Sequence, residues 1–253
     1  FAPLYLEYAM LLAVIFALGM ASALLGTLWK LMQSDVKRML ACSTMGQMGF
    51  MLAQCGLGLF PAAVAHLIWH GMFKAYLFLA SGSAAQEKRF DLGYPPSLPA
   101  FACALLCGAM GSLTFAYTSD KSWFAGDATL VLLVVTLLAG CQFSLSLLRN
   151  DTLQRLPAAL SVTALLGLIY GISVHLIAWA LAPLHLMQPQ PLSALHIAGM
   201  AVLVLAWLSI LFLRNHSQNS GSPAWQLRGY VAALNASQPH QATITAHRNN
   251  YKY

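Results

Sequence analysis

Apolar residues in this chain come in long runs, not in alternation. Runs at about 8–30, 39–59, 61–85, 98–118, 128–148, 158–182 and 193–213 each approach the ~20 residues that carry an α-helix across a bilayer. They are too long for the strands of a transmembrane barrel and show no period of two. The pattern predicts an all-α, polytopic transmembrane helix bundle of about seven spans over residues 1–213. Residues 214–253, "RNHSQNSGSPAWQLRGYVAALNASQPHQATITAHRNNYKY", change character. They are polar and carry Pro and Gly breakers around one short apolar patch, "YVAAL", so they read as a polar cytoplasmic tail.

Basic residues set the direction of the spans. Lys30, Lys37 and Arg38 follow the first run, Lys88 and Arg89 the third, Arg149 and Arg155 the fifth, and Arg214, Arg228, Arg248 and Lys252 the seventh. The intervening loops "GLGLFP" and "APLHLMQPQPLS" hold no Lys or Arg, and "TSDKSWFAGD" sets Lys121 against Asp120 and Asp127. Every second loop is basic, which by the positive-inside rule places the C-terminus in the cytoplasm and the first residues outside. Composition agrees: 59% of residues are hydrophobic and 8% charged, against roughly 25% charged in a soluble domain, and the mean hydropathy is +0.67. The net charge of +6 sits in short clusters between apolar runs, which points to a bilayer surface and away from nucleic acid. Cys42, Cys55, Cys103, Cys107 and Cys141 all lie inside apolar runs, without redox or zinc spacing, and read as small packing residues. "FAPLYLEYAM" has no basic region followed by a cleavage site, and the chain reads as a piece of a longer one.

Three stretches carry chemistry. In "HLIWHGMFKAYLFLASGSA", His66, His70 and Lys74 stand four apart, which on a helix lines them along one stripe about 12 Å long. Ionisable groups inside a membrane are costly and normally face a bundle interior or a water-filled cavity. Imidazole titrates near neutrality, so a His-His-Lys file suits proton passage. Hydrogen bonding between helices would need only one such group. The HxxxH spacing also fits zinc, but position 67 is Leu, with no carboxylate or third His near in sequence. In "LMQSDVKRMLACSTMGQMGFM", Asp35, Lys37 and Arg38 lie where the first span meets the cytoplasmic surface, which an ordinary interface anchor with two snorkelling bases would explain. Ser43, Thr44, Gly46, Gln47 and Gly49 then make the second span small and polar, which favours close helix approach and leaves room for water. In "GSLTFAYTSDKSWFAGD", Asp120 and Lys121 mark either an interrupted helix or an external loop. His175, His185 and His196 read as packing or interface residues.

"SDVKRML", "CSTMGQMGF" and "HLIWHGMFKAYLFLASGS", in that order, resemble the antiporter-like subunits of respiratory complex I and the Mrp-type sodium/proton antiporters. The likeness runs over residues 10–85 and more weakly to about 145. It implies a fold of two inverted five-helix repeats, each with a broken helix, around a buried line of Lys, His and Glu that relays protons. This chain would then be the second repeat plus C-terminal helices. By the resemblance His66, His70 and Lys74 are the relay, Lys37 is the cytoplasmic-side lysine with Asp35 beside it, and Lys121 matches the lysine of the broken helix. The segment from Pro99 to Lys121 departs from the family: it is shorter, and "SLTFAY" replaces the proline-containing break. "MGQMGFMLAQCGLG" and "ALNASQPHQATITAHRNNYKY" look more like the DabB family, membrane subunits of energy-coupled inorganic carbon transporters. That resemblance implies a proton- or cation-conducting transport subunit, not itself an enzyme, in a bacterial inner membrane. It also implies a large soluble DabA partner resembling a zinc carbonic anhydrase. The alternative it leaves is a proton-pumping subunit of NADH:quinone oxidoreductase or of an Mrp antiporter, with other subunits as partners. No cofactor is expected on this chain, which has no GxGxxG fingerprint and no cluster-spaced cysteines. A purely anchoring role, acting through the tail, is the third possibility.

Overall fold

A computed structural model describes residues 8–33, 35–82, 96–148, 152–184, 188–212 and 224–237. Lys88, Arg89, Arg149, His185, Arg214, Arg248 and Lys252 lie outside these residues. The described residues form α1 (Ala9–Met32), α2 (Val36–Gly56), α3 (Phe60–Ala80), α4 (Leu98–Thr118), α5 (Thr129–Leu147), α6 (Thr152–Leu181), α7 (Ala194–Phe212) and α8 (Ala224–Ala236). Six of them, all but α2 and α8, are long and apolar enough to cross a membrane. The seven apolar runs thus all appear as helices. The second, α2, has spanning length, but its Ser, Thr, Gln and Gly residues make it less apolar than its neighbours.

Local chemistry sets the helix ends. Asp35 caps α2, its Oδ1 accepting the Arg38 amide hydrogen bond at 2.8 Å. Ser97 accepts from the Ala100 amide at the start of α4, and Asp127 from the Thr129 amide at the start of α5, 2.9 Å. Pro61 and Pro99 occupy the first turns of α3 and α4, where no amide hydrogen is needed.

The bundle has two tightly joined parts. In one, α1 and α2 meet along a seam of small residues, Gly19, Ala23 and Gly26 against Gly46, Gly49 and Ala53. A Cβ on Gly49 would lie 2.6 Å from the backbone nitrogen of Ala23, so the backbones approach as closely as glycine permits. In the other, α4 packs on α5 and α6, with Gly108 against Cys141 and Gly111 against Thr163. α3 joins the parts by contacting both α2 and α6, and α7 bridges α1 and α5.

The loops divide between the two ends of this bundle. Leu57 and Gly58, Asp127 and Ala128, and Gln188 to Pro191 come from the three loops poor in basic residues, and their backbones are stitched together. Gln190 donates to Leu57 O at 3.0 Å, and Ala128 to Gln190 O at 2.8 Å. Gly58 has φ +74°, and a side chain there would run into the Gln188 carbonyl, so this junction requires glycine twice over. At the other end Gln33, between α1 and α2, donates from Nε2 to Ser237 Oγ at 2.6 Å, just past α8. The tail therefore contains a helix that returns to the α1–α2 loop. The sequence pattern showed there only a short apolar patch.

Candidate functional site

α3 presents His66, His70 and Lys74 as the sequence pattern predicts, and its neighbours give each a different setting. Lys74, toward the basic end, is 7% exposed. Its ammonium donates to the Leu40 carbonyl of α2 at 3.2 Å, a carbonyl that also accepts from Thr44 Oγ1 at 2.9 Å. No carboxylate pairs with Lys74 among the described residues, and Lys30 at the end of α1 adds like-charge repulsion. His70 is half-buried, and its Nε2 meets no hydrogen-bond partner among the described residues. Its ring lies 5.9 Å from that of His66, centroid to centroid. His66 donates from Nε2 to Gln47 Oε1 of α2 at 2.9 Å, which leaves Nδ1 of the neutral ring as an acceptor. The small, polar face of α2 thus supplies the polar partners of the file: the Leu40 carbonyl for Lys74 and the Gln47 amide for His66.

Beside this file lies a cavity of about 510 Å³, lined by α2 to α6 and open on one side, where Trp69, Phe73 and Leu166 are exposed. His66, Trp69, His70 and Phe73 line it from α3, spaced three and four apart on one helix face. Most of the remaining wall is aliphatic or aromatic, with Gln54 of α2, Thr136 of α5, and Thr163 and Tyr170 of α6 as polar exceptions. Sequence reasoning missed Gln54 and Tyr170. The only signal for Gln54 was a lone amide in the apolar stretch "FMLAQCG".

The other sequence candidates lie apart from the file. Asp35 is exposed and serves as the α2 cap; Lys37 and Arg38 are exposed in the first turn of that helix. Of the two readings left open for the Lys121 region, the structure shows the loop: α4 runs unbroken from Leu98 to Thr118, and Lys121 stands beyond it, so its match by resemblance to the lysine of a broken helix does not hold within α4. The helix ends in a left-handed residue, Asp120 at φ +52°, with the Lys121 amide bonded back to Ala116 O at 2.9 Å. This is the ordinary hydrogen-bonded stop of a helix, with Asp in the position glycine usually takes. Burial lowers the Lys121 pKa, against the opposing pull of Asp127 and Asp120. His175 pairs with the neighbouring Asp120 at 3.1 Å, both side chains being exposed. His196 is buried, accepts the Ser193 amide at 3.3 Å and packs edge-on against Phe16, so its role is packing. Among the described residues no group of three His, Cys, Asp or Glu is placed to hold a metal, and the cysteines are free thiols.

Residues 1–94 match the family model described as the transmembrane domain of NADH:quinone oxidoreductase and Mrp antiporters. A probable inorganic carbon transporter subunit DabB1 from Halothiobacillus neapolitanus is 48% identical over 95 residues, 38% of this chain and 17% of that protein. A DabB2 subunit of the same organism is 28% identical over 229 residues, 88% of this chain and 40% of that protein. The chloroplastic NAD(P)H-quinone oxidoreductase subunit 5 of Gossypium barbadense is 43% identical over 94 residues, 37% of this chain and 13% of that protein. The chain therefore spans less than half the length of each of these relatives.

Proposed function

We propose that this chain, a DabB-type member of the complex I/Mrp antiporter-like superfamily, is part of a proton-conducting membrane subunit. Its His66–His70–Lys74 file passes protons whose inward flow powers inorganic carbon uptake by a soluble partner. The observation that carries this reading is the file itself: three titratable groups in register on one face of α3, two of them lining a cavity. The third is buried without a carboxylate partner among the described residues. A structural role accounts poorly for that desolvation, because one hydrogen bond would join α3 to α2. The names of the DabB relatives supply the carbon-uptake half of the reading. The resemblance to that family adds the large zinc-containing DabA-like partner and the bacterial inner membrane. In this arrangement Lys30, Lys37 and Arg38, together with α8, face the cytoplasm. The stitched loops at Gly58, Ala128 and Gln190 face outward.

The likeness to NAD(P)H-quinone oxidoreductase subunit 5 favours a second reading, in which the same file pumps protons outward for a redox complex. Mild-detergent capture of the full-length tagged protein, with mass spectrometry of what copurifies, separates the two. A single large soluble zinc protein supports carbon uptake; a set of redox or antiporter-like subunits overturns it.

A further inference from the structure

The cavity beside the file holds an unresolved polar balance. Gln54 is fully buried, and neither its Nε2 nor its Oε1 meets a hydrogen-bond partner among the described residues. The Tyr170 hydroxyl interacts with this amide without completing hydrogen-bond geometry, and its own bond to the Ala62 carbonyl is long, 3.5 Å. His70 Nε2 is a third orphan on the same wall. Buried amides left unpaired are rare and point to an unseen partner. A 510 Å³ space far exceeds the ~30 Å³ of one water, and a buried water settles where two to four polar groups converge.

Position along the helices gives this convergence a direction. α2 runs toward the stitched loops and α3 runs away from them, so Gln54 and His66 both lie in the loop-side half of the bundle, while Lys74 lies toward the basic end. Tyr170 joins them by reaching Ala62 in the first turn of α3. From these positions we infer that Gln54 anchors a water cluster in this cavity and, with Tyr170, extends the proton file from His70 and His66 toward the loop end. This rests on the relay reading above. The amide needs no ionisation: its Oε1 accepts from one water and its Nε2 donates to the next. Along the waters each hop forms one O–H bond as it breaks another, so the cluster ends a passage with its proton count unchanged and its orientation reversed.

The test uses the full-length protein in proteoliposomes under an imposed pH gradient, with proton flux read by an internal dye. Gln54→Leu keeps the volume and removes the orphan amide. It is expected to lose about tenfold or more in flux, about one decade per 1.4 kcal/mol of barrier, with no fall in melting temperature. Gln54→Glu restores a polar anchor and is expected to conduct with a titration in its pH profile that the wild type lacks, a readout a packing role would not move. Cryo-electron microscopy of the same protein is expected to show ordered water between Gln54, His70 and Tyr170. Wild-type flux in Gln54→Leu, or a cavity that is dry or filled by lipid or by another part of the polypeptide, overturns the inference. Loss of flux in Lys74→Met with full flux in Gln54→Leu overturns only the inference; full flux in Lys74→Met overturns the relay and the inference together.

Discussion

Replacing Lys74 by Met separates a conducting group from a structural one, because the two roles move stability in opposite directions. A lysine at the centre of a membrane helix costs about 2.5–3.5 kcal/mol on insertion scales, an upper bound for Lys74, which lies one turn past the middle of α3. The one compensation seen here is a charged hydrogen bond to Leu40 O at 3.2 Å, which returns about 1.5–3 kcal/mol. Removing both ammonium and bond leaves no orphan, since Leu40 O keeps the Thr44 hydroxyl. Methionine fills the space with an unbranched, adaptable chain. The expected change is therefore a gain of about 0–2 kcal/mol, as the difference of those terms. Conduction should move the other way. Losing Lys74 leaves His70 nearly three helical turns from the end of α3 at Ala80, and each ~1.4 kcal/mol added to the transfer barrier costs a decade in rate. Thermal unfolding in detergent and proton flux in proteoliposomes, measured on one preparation of the full-length protein, report both quantities. A loss of 2 kcal/mol or more with flux preserved, on the order of a broken structural contact, would show that Lys74 is a strut and refute the reasoning.

Other substitutions test the remaining assignments. Asp35→Ala should cost about 1 kcal/mol by removing the α2 cap, seen as a lower melting temperature with flux unchanged; a selective loss of flux would return Asp35 to the ion path. Gly58→Ala should destabilise the loop end by about 1–3 kcal/mol or more, since φ is +74° and the new methyl meets the Gln188 carbonyl; an unchanged melting temperature contradicts the close approach. Lys121 has a pKa held below its ordinary 10.5 by burial, so between the folded and unfolded values the unfolded chain binds more protons and stability rises with pH. Lys121→Met should remove that rise below pH 10.5 and leave proton flux intact; a pH dependence equal to wild type argues against a buried ammonium there.

How far the sequence reached depended on whether each feature is local. Span positions follow from apolar run length, and all seven runs are helices. The separation of basic from non-basic loops likewise foretells which loops meet: Leu57, Ala128 and Gln190 are joined by backbone hydrogen bonds. The register of His66, His70 and Lys74 follows from helix period alone. What they touch did not, because the pairing of His66 with Gln47 and of Lys74 with Leu40 depends on how α2 and α3 pack. Gln54 and Tyr170 stand 116 positions apart and become neighbours only when α2 and α6 close on one cavity. At "TSDKS" the sequence left a break within a span and an external loop both open, because what decides between them is the backbone of a single residue: Asp120 in the left-handed position makes a helix stop. α8 was hidden by the polar residues around "YVAAL", and its link to the rest is the long-range bond from Gln33 to Ser237.

The central claim is tested most directly by proton flux through the purified full-length protein in proteoliposomes, with a pH gradient imposed and the membrane potential clamped. The wild type is compared with a variant carrying His66→Leu, His70→Leu and Lys74→Met together. Flux above that of protein-free liposomes in the wild type, falling to their level in a variant that remains folded, is the expected result. Equal flux in both proteins would contradict the relay.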